Sequence, residues 1–253
     1  MSILDAIIQG VVQGLTEFLP VSSSGHLAIT QHILGAGTGE SNLFFNVMLH
    51  VGTLVAVVAF YHKLVWDLIK EFFLMLKDIF TGKFKWSKMN YNRNLVVMLI
   101  IGLIPLFLLF LPIPGTDMKL KDLADLLSAS PVLIVTACSL ILTSVLLTIG
   151  IIRNRKSVAS THKHLASKSN AKATRDSFNV VDAILVGVTQ VCAALLPGLS
   201  RSGSTLSVGE MRGISKQKAL DYTFVLGIPS ILAAALLEGV DAIKSPEGLS
   251  NIE

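Results

Sequence analysis

Charge is what this sequence most lacks. Of its 253 residues only 15% are Asp, Glu, Lys or Arg, against about a quarter in ordinary soluble domains. Aromatic residues are 7%, and the two cysteines, Cys138 and Cys192, both lie inside apolar stretches. Two isolated thiols of this kind fit neither a disulfide framework nor a zinc site and read as packed side chains. No run interleaves basic and aromatic residues, so no nucleic-acid partner is expected. The N-terminus has no basic lead and no small-residue cleavage site behind its first apolar run, so it is not expected to be a cleavable signal peptide. What is plentiful is apolar sequence, at 52%, with a mean hydropathy of +0.66. The composition is that of a membrane protein, and the length suits about half a dozen spans of ~20 residues.

Residues 43–61, 95–111 and 132–152 are long and apolar enough to span. Residues 219–237 are apolar but are expected to be interrupted at Gly227 and Pro229. Two further apolar runs, 3–19 and 180–196, each meet a proline and a Ser/Gly-rich loop before resuming as a short helix. Such a break is tolerated at membrane depth only when it is buried in protein or lines a wet cavity. Residues 66–80 read as an amphipathic interfacial helix. Trp66, Ile69, Phe73, Leu76 and Phe80 share one face, and Asp67, Lys70, Glu71, Lys77 and Asp78 flank it.

Loop charge sets orientation. Residues 153–175 carry seven Lys/Arg and no acid, and residues 63–93 carry seven Lys/Arg against three acids, so both belong in the cytoplasm. Residues 113–130 and 35–42 then belong outside.

Residues 5–25 overlay residues 182–202 at a constant offset of 177. Asp5 meets Asp182, Gly10 meets Gly187, Gln13 meets Gln190, Leu19-Pro20 meets Leu196-Pro197 and Ser23 meets Ser200, with Gly25 answered one residue late by Gly203. Chance could align apolar residues but not Asp, Gln, Pro and Ser in one register, so the chain is read as an internal repeat. The expected fold is an all-α polytopic membrane protein, one membrane domain over 1–253. Its first repeat is 1–112, with a re-entrant unit at 3–36. A connecting span and basic loop fill 113–177. The second repeat is 178–253, with a re-entrant unit at 178–213. With the basic loop inside, the two broken helices enter from opposite faces, an inverted topology whose tips meet near the membrane midplane.

The tips differ in chemistry. The first carries Gln13, Glu17, Ser22, Ser23, Ser24 and His26; the second carries Gln190, Ser200, Arg201, Ser202, Ser204 and Thr205. In the 177 register Glu17 faces Ala194 and Ser24 faces Arg201. Ionisable residues at membrane depth are costly and usually functional. A buried Glu17–Arg201 ion pair is the structural alternative, but it leaves the hydroxyls and the histidine unexplained. Arg201, the hydroxyls and the helix N-termini near Gly25 and Gly203 suit an anion such as phosphate. Glu17 suits a divalent cation bridging phosphate oxygens. Ser23 and His26, three apart, suit a nucleophile with an acid/base. His50, His62, His162 and His164 lack such a context and are taken as structural or solvated.

The segment from Gln13 to His26, QGLTEFLPVSSSGH, and the segment from Pro197 to Thr205, PGLSRSGST, resemble the two signature motifs of the bacterial undecaprenyl-diphosphatase (bacitracin resistance) family, and the resemblance runs over nearly the whole chain. It implies hydrolysis of undecaprenyl diphosphate to undecaprenyl phosphate and inorganic phosphate, recycling the lipid carrier for cell-wall synthesis. It also implies a divalent cation, Mg2+ or Ca2+, and a multi-pass protein of the bacterial cytoplasmic (inner) membrane whose site opens to the outer face. A homodimer is compatible with it. By resemblance, Gln13 and Glu17 are the acidic-motif positions, with Gln13 where many members have Glu. His26 is the motif histidine, Ser23 the candidate nucleophile and Arg201 the phosphate clamp. Gln190, Ser22, Ser24, Gly25, Ser200, Ser202, Gly203 and Thr205 complete the candidate phosphate-binding set. Attack by Ser23, by His26 or by water all stay open, and a flippase for phosphorylated polyprenyl lipid is the alternative reading. Members usually end in a further apolar span, so a shortened C-terminus is expected after residue 237.

Overall fold

In a computed structural model the described residues are 2–35, 40–86, 89–129, 133–165 and 175–244. They are helical, with only two isolated bridging pairs in place of strands. In order come α1 (Ile3–Phe18), α2 (Ser23–Ile33), α3 (Glu40–Phe60), α4 (His62–Phe80) and α5 (Tyr91–Leu103), which tightens into a 3-10 stretch (Ile104–Phe110). Then follow α6 (Leu120–Ala129), α7 (Leu133–Leu165), α8 (Val180–Leu195), α9 (Arg201–Met211) and α10 (Lys216–Lys244).

Three segments are long and apolar enough to cross a membrane: Tyr91–Phe110, Leu133–Arg155 and Lys216–Leu237. The pair Phe45–Phe60 and His62–Phe80, bent by 84°, adds a fourth when taken as one broken span. The chain is therefore an all-helical polytopic membrane protein. The expected interruption at Gly227 and Pro229 is not there, because α10 runs through Pro229 as one helix. A proline removes one backbone donor, and inside a membrane bundle neighbouring groups compensate for that loss. The proline that does change the backbone is Pro105. It begins the 3-10 stretch, and the loosened Gly102 carbonyl accepts from Gln190 Nε2 at 3.0 Å.

Helix α4 departs from the interfacial reading in one respect. Trp66, Ile69, Phe73 and Phe80 are exposed on its apolar face, as expected, while Leu68 and Met75 are buried. Of the polar flank, however, Glu71 and Asp78 are not left to solvent. They receive Arg93 from α5 at 3.2 and 2.7 Å, fastening α4 to the bundle.

The two segments aligned in the sequence share local structure. α1 and α8 each have 16 residues and each begins with a capping box, Ser2 with Asp5 and Asn179 with Asp182. α2 and α9 each have 11 residues. The second hairpin is anchored at its base by Asp182, fully buried between Arg175 at 2.9 Å and Arg212 at 2.7 Å. Most of the basic loop between α7 and α8, the loop ends at 36–39 and 130–132, and residues 245–253, part of the C-terminus expected to be shortened, lie outside the described residues.

The main core joins α4, α5, α8, α9 and α10 through Leu95, Val96, Met98, Val186, Tyr222 and Leu226. Tyr222 donates to the Met98 carbonyl at 2.7 Å. Helices α5 and α8 meet where Gly187 faces Gly102: a Cβ on Gly187 would stand 2.7 Å from the Pro105 ring and against the Gly102 carbonyl. Gly14 has open space around it. We therefore predict that Gly187→Val lowers the melting temperature in detergent by about 5–10 °C, the overpacking cost of a rigid contact. Gly14→Ala should leave it within about 2 °C.

Candidate functional site

The two tips are built by the same local rule. Ser22 caps α2 by accepting from Gly25 N at 3.2 Å, and Ser200 caps α9 by accepting from Gly203 N at 2.9 Å. In each tip the capping hydroxyl also lies 3.4 Å from the hydroxyl two residues on, Ser24 and Ser202. These pairings correct the register at the tips from 177 to 178, because Gly198 supplies one extra residue. Each tip has one residue at positive φ, Ser22 at 77° and Gly198 at 86°. Glycine takes that conformation freely, whereas a serine held there carries strain of about 1–3 kcal/mol, a cost found mostly at functional sites. In the corrected register Ser23 and Arg201 occupy the same position, the first residue of each half-helix.

Helix α7 supports both tips. Leu140 packs on Gly25, Thr136 on Gly198, and Ser200 N donates to Thr143 Oγ1 at 3.0 Å. Gly203 lies directly against the Pro20 carbonyl, so the tips touch through backbone.

At the junction lies a cavity of about 350 Å3. Glu17 is its centre. One carboxylate oxygen takes Arg201 Nη2 at 3.2 Å. The other accepts from Ser23 Oγ at 2.6 Å and from Gln13 Nε2 at 3.2 Å. The Arg201 guanidinium is partly exposed to the cavity and passes 3.4 Å from where a Gly227 Cβ would be. A serine hydroxyl, the carboxylate that accepts its hydrogen bond and a guanidinium thus share one chamber.

The sequence profile of the bacitracin resistance protein BacA family matches residues 6–252. The chain belongs to this family. Relatives include the undecaprenyl-diphosphatase of Alkaliphilus metalliredigens, 38% identical over 96% of this chain and 79% of the relative. That of Bacteroides thetaiotaomicron is 34% identical over 100% and 81%. That of Methanobrevibacter smithii is 36% identical over 94% and 76%.

Of the residues expected from the family motifs, Glu17, Ser22, Ser23, Ser24, Ser200, Arg201 and Ser202 line the cavity. The others do not. Gln13 is buried behind Glu17 and positions it. The N–H groups of Gly25 and Gly203 are taken by their own caps and are not offered to a ligand. Thr205 bonds the Arg201 carbonyl at 2.8 Å and Thr223 at 3.2 Å. Gln190 is spent between Gly102 and Ser230, at 3.0 and 3.1 Å. His26 is bonded through Nδ1 to the Ser22 carbonyl at 2.7 Å. It does not meet Ser23 as an acid/base pair, because the serine hydroxyl is directed to Glu17. His50, taken as structural from the sequence, lines the cavity together with Asn46 and Ser230. The signal for Asn46 and His50 was their spacing of four within an otherwise apolar span.

Because the tips touch at Gly203 and Pro20, Gly203→Ala should separate them and reduce phosphate release from a lipid diphosphate by about 100-fold or more, as misplacement of a reacting group does. Gly239, with no neighbour within 4 Å, is the control, and Gly239→Ala should keep full activity.

Proposed function

We propose that this chain hydrolyses undecaprenyl diphosphate to undecaprenyl phosphate and inorganic phosphate through Ser23, Glu17 and Arg201. The observation that carries this is the shared Glu17 carboxylate, bonded on one side to the Ser23 hydroxyl at 2.6 Å and on the other to Arg201 at 3.2 Å. The family membership gives the substrate its chemical class.

The terminal phosphate displaces Glu17 from Arg201 and takes the guanidinium for itself. Ser23 Oγ then attacks the terminal phosphorus. Its proton passes to Glu17, the bond from phosphorus to the bridging oxygen breaks, and undecaprenyl phosphate leaves. Water attacks the phosphoserine, the Oγ–P bond breaks, Oγ recovers its proton from Glu17, and both hydrogens of the water leave on the inorganic phosphate. Gln13 keeps the carboxylate aimed at Ser23 throughout. Catalysis of this kind rests on positioning and charge stabilisation.

Among the described residues no three Asp, Glu, His or Cys side chains gather to form a metal cage. The donors present, Glu17 and the serine hydroxyls, are hard oxygen ligands that fit Mg2+ or Ca2+ arriving on the diphosphate. Such a cation, when bound, neutralises charge on the phosphate oxygens.

The charge pattern supports a site toward the outer face of the cytoplasmic membrane. Arg153 and Arg155 end one span and Lys216 begins another, beside Arg175 and Arg212. From Arg155 up α7 to Leu140, and from Lys216 up α10 to Ile231, the rise is ~22 Å in each case. In a hydrocarbon layer of ~30 Å that depth falls in the outer half. With the basic base of the α8–α9 hairpin inside, α1–α2 enters from outside and α8–α9 from the cytoplasm, an inverted pair whose tips meet somewhat outward of the midplane. A flippase reading has no support from the relatives named above, and anion transport has no use for a serine bonded to a carboxylate.

Phosphate release from undecaprenyl diphosphate in detergent tests the proposal, since detergent leaves no second compartment for transport. Arg201→Ala and Ser23→Ala should each lose about 10³-fold or more, and Arg201→Ala should also lower the melting temperature because it strands the Glu17 carboxylate. Chelation should abolish release and added Mg2+ or Ca2+ restore it. Near-normal turnover by Ser23→Ala would overturn the serine mechanism.

A further inference from the structure

Arg201 accounts for one phosphate, whereas a diphosphate has two. The other polar wall of the cavity is α3, through Asn46 and His50. They are four residues apart and so share a helix face. Each is fixed on one side by the protein and left open on the other.

Gln31 Nε2 donates to Asn46 Oδ1 at 2.8 Å and to Gln9 Oε1 at 2.9 Å. Because the amide oxygen is the end that receives this bond, the Asn46 NH2 group is the end left for a ligand. His50 Nδ1 lies 2.7 Å from the Asn46 carbonyl oxygen, which can only accept. The hydrogen therefore sits on Nδ1, and Nε2 is the atom presented away from the helix. Neither Asn46 Nδ2 nor His50 Nε2 has a protein hydrogen bond among the described residues. A polar side chain in an apolar span is costly when half-satisfied, and a phosphate between the two would satisfy both. Asn46 donates to a phosphate oxygen, and His50 Nε2, the acceptor in this tautomer, accepts from a protonated one.

We infer that Asn46 and His50 hold the lipid-linked phosphate of the diphosphate, opposite Arg201, and so let the site prefer a diphosphate to a single phosphate. The inference rests on the lipid diphosphate reading of this cavity. Gln31 is a positioning residue for Asn46.

The test is calorimetric titration of the purified full chain in detergent with methylenebisphosphonate, which mimics the diphosphate and is not hydrolysed, and separately with inorganic phosphate. The parent should bind the bisphosphonate at least about tenfold more tightly than phosphate, the worth of one or two hydrogen bonds to a charged group. Asn46→Ala/His50→Ala should bring the two affinities together by weakening only the bisphosphonate. Asn46→Asp keeps the shape and the acceptor for Gln31 but loses the NH2 donor, and it should do the same with an unchanged melting temperature. Arg201→Ala should weaken both ligands. If the Asn46 and His50 variants keep the parent's preference, the inference is overturned. If the parent itself shows no preference, the inference falls together with the diphosphate reading.

Discussion

A buried carboxylate inside a membrane bundle cannot be left without partners, and Glu17 is not. Its oxygens are divided between a guanidinium from one tip and a hydroxyl and an amide from its own. Removing one partner from a buried pair of this kind commonly costs about 3–5 kcal/mol, because the remaining charge is stranded. Much of the local architecture can be read as serving this contact. Gly203 lets the second tip approach the Pro20 carbonyl, Gly227 lets the guanidinium pass α10, and α7 braces both tips from behind. The ion pair is also what a phosphate must break. An anion that takes over Arg201 leaves Glu17 with fewer counter-charges and so makes it a better acceptor for the Ser23 proton.

The likeness of the two hairpins bears on how so small a bundle assembles such a site. Two hairpins with equal helix lengths, capped starts and one residue at positive φ each bring two half-helix starts to one place. Their backbones are alike, and their side chains differ. At the first residue of the half-helix one copy has Ser23 and the other Arg201. One turn before the break, one has Glu17 and the other Ala194. The proposed nucleophile and the proposed anion clamp thus hold the same structural position, the first residue of a half-helix.

Much of this was legible in the sequence. Broken helices show themselves by Pro and Ser/Gly inside apolar runs, and the ionisable residues there stand out against so little charge. Three things were not legible. The one-residue insertion at Gly198 shows in the sequence only as Gly25 answered late by Gly203, and the constant offset therefore pairs Ser23 with Ser200 in place of Arg201. The internal consumption of Gln190, Thr205 and the Gly25 and Gly203 amides depends on which backbone groups lie nearby, and that is tertiary information. His26 and His50 exchanged places for the same reason. Both bond a carbonyl four residues back, and only packing decides which ring faces the cavity. Pro229 shows the opposite case, a local breaker signal overridden by its surroundings, whereas Pro105 at the end of α5 kept its effect.

The account stands most directly on the identity of the group that attacks phosphorus. The measurement is mass spectrometry of the enzyme acid-quenched during turnover of undecaprenyl diphosphate, with the modified peptide sequenced. The account predicts an added phosphoryl group on Ser23, absent from Ser23→Ala. A phosphoryl group on His26 or His50, trapped under conditions that preserve phosphohistidine, would contradict it.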